Sequence, residues 1–122
     1  MIPDLVDSID YGVFYDCTSL KSIVIPDSVD SIRDYALFNC KSLESIVIPD
    51  SVESIGEWAF AGCRSLRSIT IPDSVESIGY CAFVNCKTLN EVIFKGKTID
   101  QVKVMDNYPW DIKDTSIIRC EK

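Results

Sequence analysis

The sequence has no histidine, and this absence removes several kinds of chemistry at once. Histidine is the usual general base, the partner of catalytic serines and cysteines, and the commonest metal ligand. The remaining residues show no nucleophile paired with a base, no phosphate-binding loop and no cluster of metal ligands. The sequence therefore predicts a protein that is not an enzyme and that uses no cofactor and no metal.

Positive charge is also scarce, with 12 lysines and arginines against 19 aspartates and glutamates and a net charge of −7. A surface that binds nucleic acid or anionic lipid is normally basic, because it must neutralise phosphate groups. Apolar residues make up 47% of the chain, yet none of their runs approaches the roughly 20 residues of a membrane-spanning helix. These features predict no nucleic-acid partner and no insertion into a membrane.

What the sequence does contain is one segment written four times. The motif Ile-Pro-Asp-x-Val begins at Ile2, Ile25, Ile48 and Ile71, at intervals of 23 residues. A fixed period of roughly 20 to 50 residues is typical of a solenoid, in which each coil buries its apolar residues against its neighbours. We therefore predict a single domain with four coils and a C-terminal cap, at residues 2–24, 25–47, 48–70, 71–93 and 94–122.

The first predicted coil begins at Ile2, and we expect no signal peptide in this sequence. A secretory signal would need a basic start and an apolar segment before the mature protein. The sequence taken by itself leaves two alternatives open: a cytosolic protein, or a portion of a longer one.

Within a coil, the spacing of the apolar residues predicts one short strand and one irregular side. The segment Leu43-x-x-Ile46-x-Ile48 ends with a period of two, which indicates a strand whose isoleucines point inward. Proline follows and ends the strand, because it has no backbone N–H to donate. Strands from successive coils should form a short parallel sheet on one face, with turns and short extended segments on the other.

The C-terminal residues predict a small helix that closes the last coil. Thr98 and Gln101 have the spacing of a capping box at a helix N-terminus. The residues expected to pack on the core are Ile99, Val102, Met105 and Trp110. The last apolar segment, residues 116–120, predicts a final edge strand.

Four of the six cysteines follow the same period, at Cys17, Cys40, Cys63 and Cys86. We interpret them as small inward-pointing side chains that stack from coil to coil. Adjacent copies would lie close enough for a disulfide, but a stacked column does not need one, and we expect free thiols. Disulfides that involve Cys81, Cys86 or Cys120 are the alternative. A zinc site at Cys81 and Cys86 is disfavoured, because the sequence has no histidine to complete it.

The coil resembles the BspA-like leucine-rich repeat of Treponema and Bacteroides. That repeat reads L-x-x-I-x-I-P-x-x-V-x-x-I-G-x-x-A-F-x-x-C, and residues 43–63 fit every position. The resemblance extends over residues 2–93 and implies a curved leucine-rich-repeat solenoid. It also implies a non-catalytic module that binds an unidentified protein, as in bacterial surface proteins linked to adhesion, and hence an extracellular or cell-surface location. The alternative is a structural module that dimerises or stacks on itself.

The outward face of the strands is the first candidate binding surface, because a repeated position becomes a column when coils stack. Horseshoe-shaped repeats often bind partners on this face, and an apolar column there is a plausible contact. We call these residues the sheet-face strip: Ser22, Val24, Ser45, Val47, Ser68, Thr70, Glu91 and Ile93. The alternative interpretation is that β-branched residues occupy these positions only because they favour strands.

Tyr15 and Phe38 are a second candidate, near the start of the solenoid, where no polar cap is apparent. Exposed aromatic residues there would suit a homodimer contact through the N-terminal edge, or the two rings could pack on each other. Charged columns lie at Asp4, Asp27, Asp50 and Asp73, at Asp7, Asp30, Glu53 and Glu76, and at Lys41, Arg64 and Lys87. We interpret them as solvated faces, with calcium binding and an acidic partner as alternatives.

Overall fold

The computed structural model describes residues 6–121 and is a parallel-strand solenoid of about five coils. Ile2, Asp4 and the start of the first predicted coil lie outside the described residues. The elements in chain order are β1 (Ser8–Ile9), β2 (Ser22–Val24), β3 (Ser31–Ile32), β4 (Ser45–Val47), β5 (Ser54–Ile55), β6 (Ser68–Ile71), β7 (Ser77–Ile78), β8 (Glu91–Lys95), α1 (Ile99–Lys103), a 3-10 turn (Thr115–Ile117) and β9 (Ile118–Glu121).

The strands form parallel ladders on two sides of the solenoid. The two-residue strands β1, β3, β5 and β7 make one four-stranded ladder. The longer strands make two ladders, β2 with β4 and β6 with β8 and β9, so the predicted sheet is divided between the second and third coils. Ser22 lies opposite Ser45, and Ser54 lies opposite Ser77, which is the 23-residue period expressed as strand register.

The core is a stack of equivalent apolar side chains from successive coils. In the third coil Val52, Ile55, Phe60 and Leu66 are buried, and their counterparts in the second and fourth coils are largely buried too. The rings of Phe60 and Phe83 stack with centroids 5.8 Å apart. The inward orientation of the repeated isoleucines is confirmed, and Phe94 takes the position of Ile71 in the last coil.

The irregular side of each coil is a run of turns that is hydrogen-bonded in two directions. In the second coil Tyr35, Leu37 and Asn39 donate their N–H groups to carbonyl oxygens of the third coil, at 2.7–2.9 Å. The residues between them donate to carbonyls three positions earlier in their own coil. The backbone N–H groups of residues 35–39 are therefore satisfied without a regular strand.

This run of turns requires two left-handed backbone positions in each coil. One column has φ between 54° and 60° and consists of Gly12, Tyr35, Trp58 and Cys81. The other has φ between 59° and 75° and consists of Asp16, Asn39, Gly62 and Asn85. Glycine and asparagine adopt this conformation readily, whereas a residue with a bulky side chain is destabilised there by about 1–2 kcal/mol. The first column therefore stores backbone strain at Tyr35 and Trp58.

The C-terminal cap closes the core with one short helix and one indole ring. The capping box between Thr98 and Gln101 is present, and Val102 is buried. Trp110 is fully buried, stacks on Phe94 and donates its indole N–H to the Ile78 carbonyl at 3.1 Å. The predicted capping box and the predicted role of Trp110 are confirmed.

Two details of the cap differ from the sequence prediction. Ile99 is exposed, because a helix of five residues turns only part of its surface towards the core. The final strand begins at Ile118 and not at Ser116, because Asp114 accepts the Ser116 N–H and caps a 3-10 turn before the strand.

Candidate binding surfaces

The sheet-face strip lies on β2, β4, β6 and β8, with its side chains directed away from the core. Val24 is 83% exposed and Val47 is 77% exposed, and strand register places them opposite each other. Thr70 is opposite Ile93 further along the solenoid. Glu91 and Ile93 are half-buried, so the strip is most open at its valine end.

Beyond the strip, the outer face of the sheet continues onto β9 and carries a group of ion pairs there. Arg119 lies opposite Ile93 and donates to the Glu91 carboxylate. Glu121 accepts a hydrogen bond from Lys95 at 2.6 Å, and this bond lowers the pKa of the Glu121 carboxyl. The outer face therefore changes from apolar to charged along the solenoid axis.

Sequence reasoning did not assign Arg119 to this face. The sequence pattern that could have identified it is the alternation in residues 118–120. Ile118 and Cys120 point inward, so the residue between them points outward.

Tyr15 and Phe38 are brought together, with stacked rings whose centroids are 4.9 Å apart. The alternative that they pack on each other is therefore what the structure shows, although Tyr15 stays exposed. Both belong to a longer series of rings that we call the aromatic row: Tyr11, Tyr15, Tyr35, Phe38, Trp58 and Tyr80. Neighbouring rings in the row have centroids 4.9–6.5 Å apart.

Acidic side chains accompany the aromatic row. Asp34 and Glu57 occupy the repeat position that Tyr11 and Tyr80 occupy in the first and fourth coils. One oxygen of Asp34 accepts the N–H of Glu57 at 2.8 Å, while Glu57 itself is exposed. This side of the solenoid therefore combines exposed ring surface with negative charge.

The column of cysteines is buried at Cys40 and Cys63 and half-buried at Cys17 and Cys86. The thiols of Cys40, Cys63 and Cys86 donate to carbonyl oxygens of the preceding coil at 3.1–3.4 Å. Burial raises the pKa of Cys40 to about 11 and that of Cys86 to about 12, and it raises the pKa of Cys63 as well. All six cysteines are free thiols in the structure. A thiol that stays neutral is a poor nucleophile and a poor metal ligand.

The other charged columns lie at the surface. Asp27, Asp50, Asp30, Glu53, Lys41 and Arg64 are exposed, and Asp73 is 3.5 Å from the Lys97 ammonium. Within residues 6–121 no three histidine, cysteine, aspartate or glutamate side chains converge as they would around a metal ion. The same residues include no helix with the length and apolar character needed to span a bilayer.

A cleft of about 390 Å³ separates the fourth coil from the cap. Its lining mixes apolar and polar side chains, which include Leu89, Ile112, Asn85, Asn90, Lys113 and Asp114.

The sequence matches the profile of the family described as BspA type leucine rich repeat region, in six copies over residues 1–107. A search of curated proteins gave no match. The solenoid is similar to the crystal structure of a leucine rich cell surface protein from Faecalibacterium prausnitzii, with a TM-score of 0.77 and 30% identity over 98% of this chain.

Two further crystal structures are similar. A leucine-rich repeat protein from Bacteroides ovatus shares 40% identity over 74% of this chain, and the Treponema pallidum leucine-rich repeat protein shares 29% over 75%, each with a TM-score of 0.64. The matches span 25%, 30% and 56% of the Bacteroides, Faecalibacterium and Treponema chains, so this chain corresponds to part of each. The predicted resemblance and the predicted solenoid are thereby confirmed: the chain belongs to the BspA-type leucine-rich repeat family.

Proposed function

We propose that the chain is a non-catalytic protein-binding module whose sheet-face strip contacts the partner. The observation that supports this most is the exposure of Val24 and Val47 side by side on the strand face. Contiguous apolar side chains on an otherwise charged surface typically mark an interaction site.

The outer face is apolar at one end and charged at the other, which suggests that the partner has an apolar group and charged groups in the same order. Its apolar contact would fall on the valine column, while Glu91, Arg119 and Glu121 would select charged groups at the other end. Full burial of one valine contributes about 1.5 kcal/mol, so covering both corresponds to about 3 kcal/mol, or roughly a 100-fold change in Kd. The ion pairs are exposed, and they would contribute more to orientation than to affinity.

We place this module at the cell surface, as part of the same proposal. The support is the family and the similarity to a protein described as a cell surface protein, of which this chain spans 30%. An adhesive role is consistent with that location.

Site-directed photo-cross-linking tests the proposal. A photo-reactive amino acid replaces Val47 in one variant and the exposed Glu76, near β7, in a matched control. Both variants are irradiated with a mixture of extracellular and cell-surface proteins, and the protein captured only by the Val47 variant is purified.

The affinity for that purified protein then decides the outcome. Val24→Lys with Val47→Lys should weaken binding by about 100-fold, whereas Val104→Lys should leave it unchanged. Val104 is a matched control because it is 82% exposed and lies outside the strip. Equal capture by the control position, or an unchanged Kd in the double variant, would rule out the strip as the contact.

Self-association is the second candidate function. Tyr11, Val13 and Tyr15 leave apolar surface exposed in the first coil, where a second copy of the chain would dock in a homodimer. Phe38 is half-buried beneath Tyr15, so Tyr15 would make more of this contact. Sedimentation velocity over a hundredfold concentration range should then show a growing mass that Val13→Asp abolishes. A constant monomer mass over the whole range would eliminate this candidate.

A further inference from the structure

We propose that the aromatic row is a second binding surface, separate from the sheet-face strip, and that it binds a lysine- or arginine-bearing segment of a partner protein. The row crosses four coils on the irregular side of the solenoid. From Tyr11 to Tyr35, Trp58 and Tyr80 the successive centroid distances are 5.6, 6.2 and 6.2 Å. The two ends of this series are open to solvent, with Tyr11 69% exposed and Tyr80 56% exposed, and Tyr35 and Trp58 between them are half-buried.

Backbone conformation gives an independent reason to regard the row as functional. Tyr35 and Trp58 occupy the left-handed column in which the first coil has Gly12. Glycine would satisfy that conformation without strain, and the side chains that replace it are only half-buried. Strained positions of this kind cluster at functional sites.

The charges around the row indicate a cationic partner. Asp34 and Glu57 lie in the column between Tyr11 and Tyr80, and Asp10 and Asp16 flank the same turns. None of these four carboxylates forms an ion pair with a lysine or arginine among residues 6–121. An ammonium or guanidinium group over a ring face is attracted by the ring electrons, and adjacent carboxylates add to that attraction.

Spacing selects the form of the segment. Alternate side chains of an extended strand point the same way and are about 6.7 Å apart. This distance is close to the 5.6–6.2 Å between successive ring centroids from Tyr11 to Tyr80. A segment with a basic residue at every second position would therefore place one cation near each ring. An anionic segment would be repelled by the same carboxylates, and a purely apolar one would leave them desolvated and unpaired.

A set of three synthetic peptides tests the proposal. One alternates arginine with glycine and carries four arginines, the second has the neutral isostere citrulline at those positions, and the third has glutamate. Binding to the full chain is measured by isothermal titration, and the contact is located by NMR shifts of the aromatic ring protons. We expect the arginine peptide to bind at least tenfold more tightly than the citrulline peptide, with shifts at the row, and the glutamate peptide not to bind.

Variants separate this site from general attraction to an acidic protein. Glu57→Gln should weaken binding of the arginine peptide severalfold. Glu76→Gln makes the same charge change in the next coil and should leave this binding unchanged. Trp58→Gly should weaken binding of the arginine peptide at least fivefold. Val47→Lys should change this binding no more than Val104→Lys does, because the sheet-face strip is a different surface. Tyr11→Ser with Tyr80→Ser repeats the ring test at exposed positions where folding is not at risk.

The proposal fails if citrulline binds as well as arginine, if Glu76→Gln is as harmful as Glu57→Gln, or if the ring substitutions leave binding unchanged. These outcomes do not depend on the sheet-face strip, whose variants serve here only as controls.

Discussion

Substitution of Trp58 by glycine and by alanine would measure the strain in the left-handed column. Both variants lose the same ring contacts to Tyr35, Phe38 and Tyr80, so the difference between them reports the backbone alone. At a φ of 58° alanine keeps a cost of about 1–2 kcal/mol that glycine removes. Glycine also gives the unfolded chain about 0.5–1 kcal/mol of extra entropic stabilisation. At the midpoints of these two ranges the glycine variant should therefore be the more stable by about 0.75 kcal/mol.

Urea unfolding followed by circular dichroism measures this difference directly. With a slope of about 2 kcal/mol per molar urea, the midpoint of the glycine variant should lie about 0.4 M above that of the alanine variant. Tyr80 is the matched control, since it is also in the aromatic row but is not left-handed. There the order should reverse, with alanine the more stable by about 0.5–1 kcal/mol. If alanine is the more stable at both positions, strain does not distinguish the column and our reasoning about it is wrong.

Three other predictions follow from the contacts between coils. Gly79→Ala should lower the free energy of unfolding by about 2–3 kcal/mol, because its new Cβ would lie 2.4 Å from the backbone nitrogen of Glu57 in the third coil. A urea midpoint equal to that of the unsubstituted protein would contradict this close approach. Ser51 and Ser74 share a repeat position, but only Ser74 donates its hydroxyl, to a carbonyl at 2.7 Å. Ser74→Ala should therefore destabilise the fold by about 1 kcal/mol, while Ser51→Ala should be neutral or stabilising, and equal losses would contradict the assignment. Burial raises the pKa of Cys40 to about 11 and of Cys86 to about 12 from the ordinary 9.0. The neutral thiols then stabilise the fold fully below pH 9, and this stabilisation is lost as the pH rises through 11 and 12. Replacing both with alanine should reduce the dependence of the urea midpoint on pH above 9, and an unchanged dependence would assign it to other groups.

The features that the sequence predicted are those that depend on the repeat. A 23-residue period places Ser22 opposite Ser45 whatever the detailed shape of the coil, because stacked coils of equal length must pair equivalent residues. The inward isoleucines follow from the alternation of side chains along a strand. The capping box at Thr98 is equally local, since it needs only two residues three positions apart.

The features that were missed depend on distances between non-equivalent positions. The aromatic row joins three different repeat positions, and it forms only because the left-handed turns bring Tyr35 and Trp58 beside their neighbours. Arg119 was missed for another reason: β9 pairs with β8 at an offset of 26 residues, so the period of the coils does not extend to it.

The hydrogen bonds that join the coils are also a mechanical property of the chain. They point along the solenoid axis, so tension between the two ends of the chain acts on one interface after another. A coil of 23 residues extends to about 80 Å when pulled straight, against about 5 Å of axial length when folded. Each coil that unwinds would therefore lengthen a tethered chain by about 75 Å at nearly constant force. For a protein held between two surfaces, coils of equal length would act as a series of extension steps of similar size that limit the load on the bound partner.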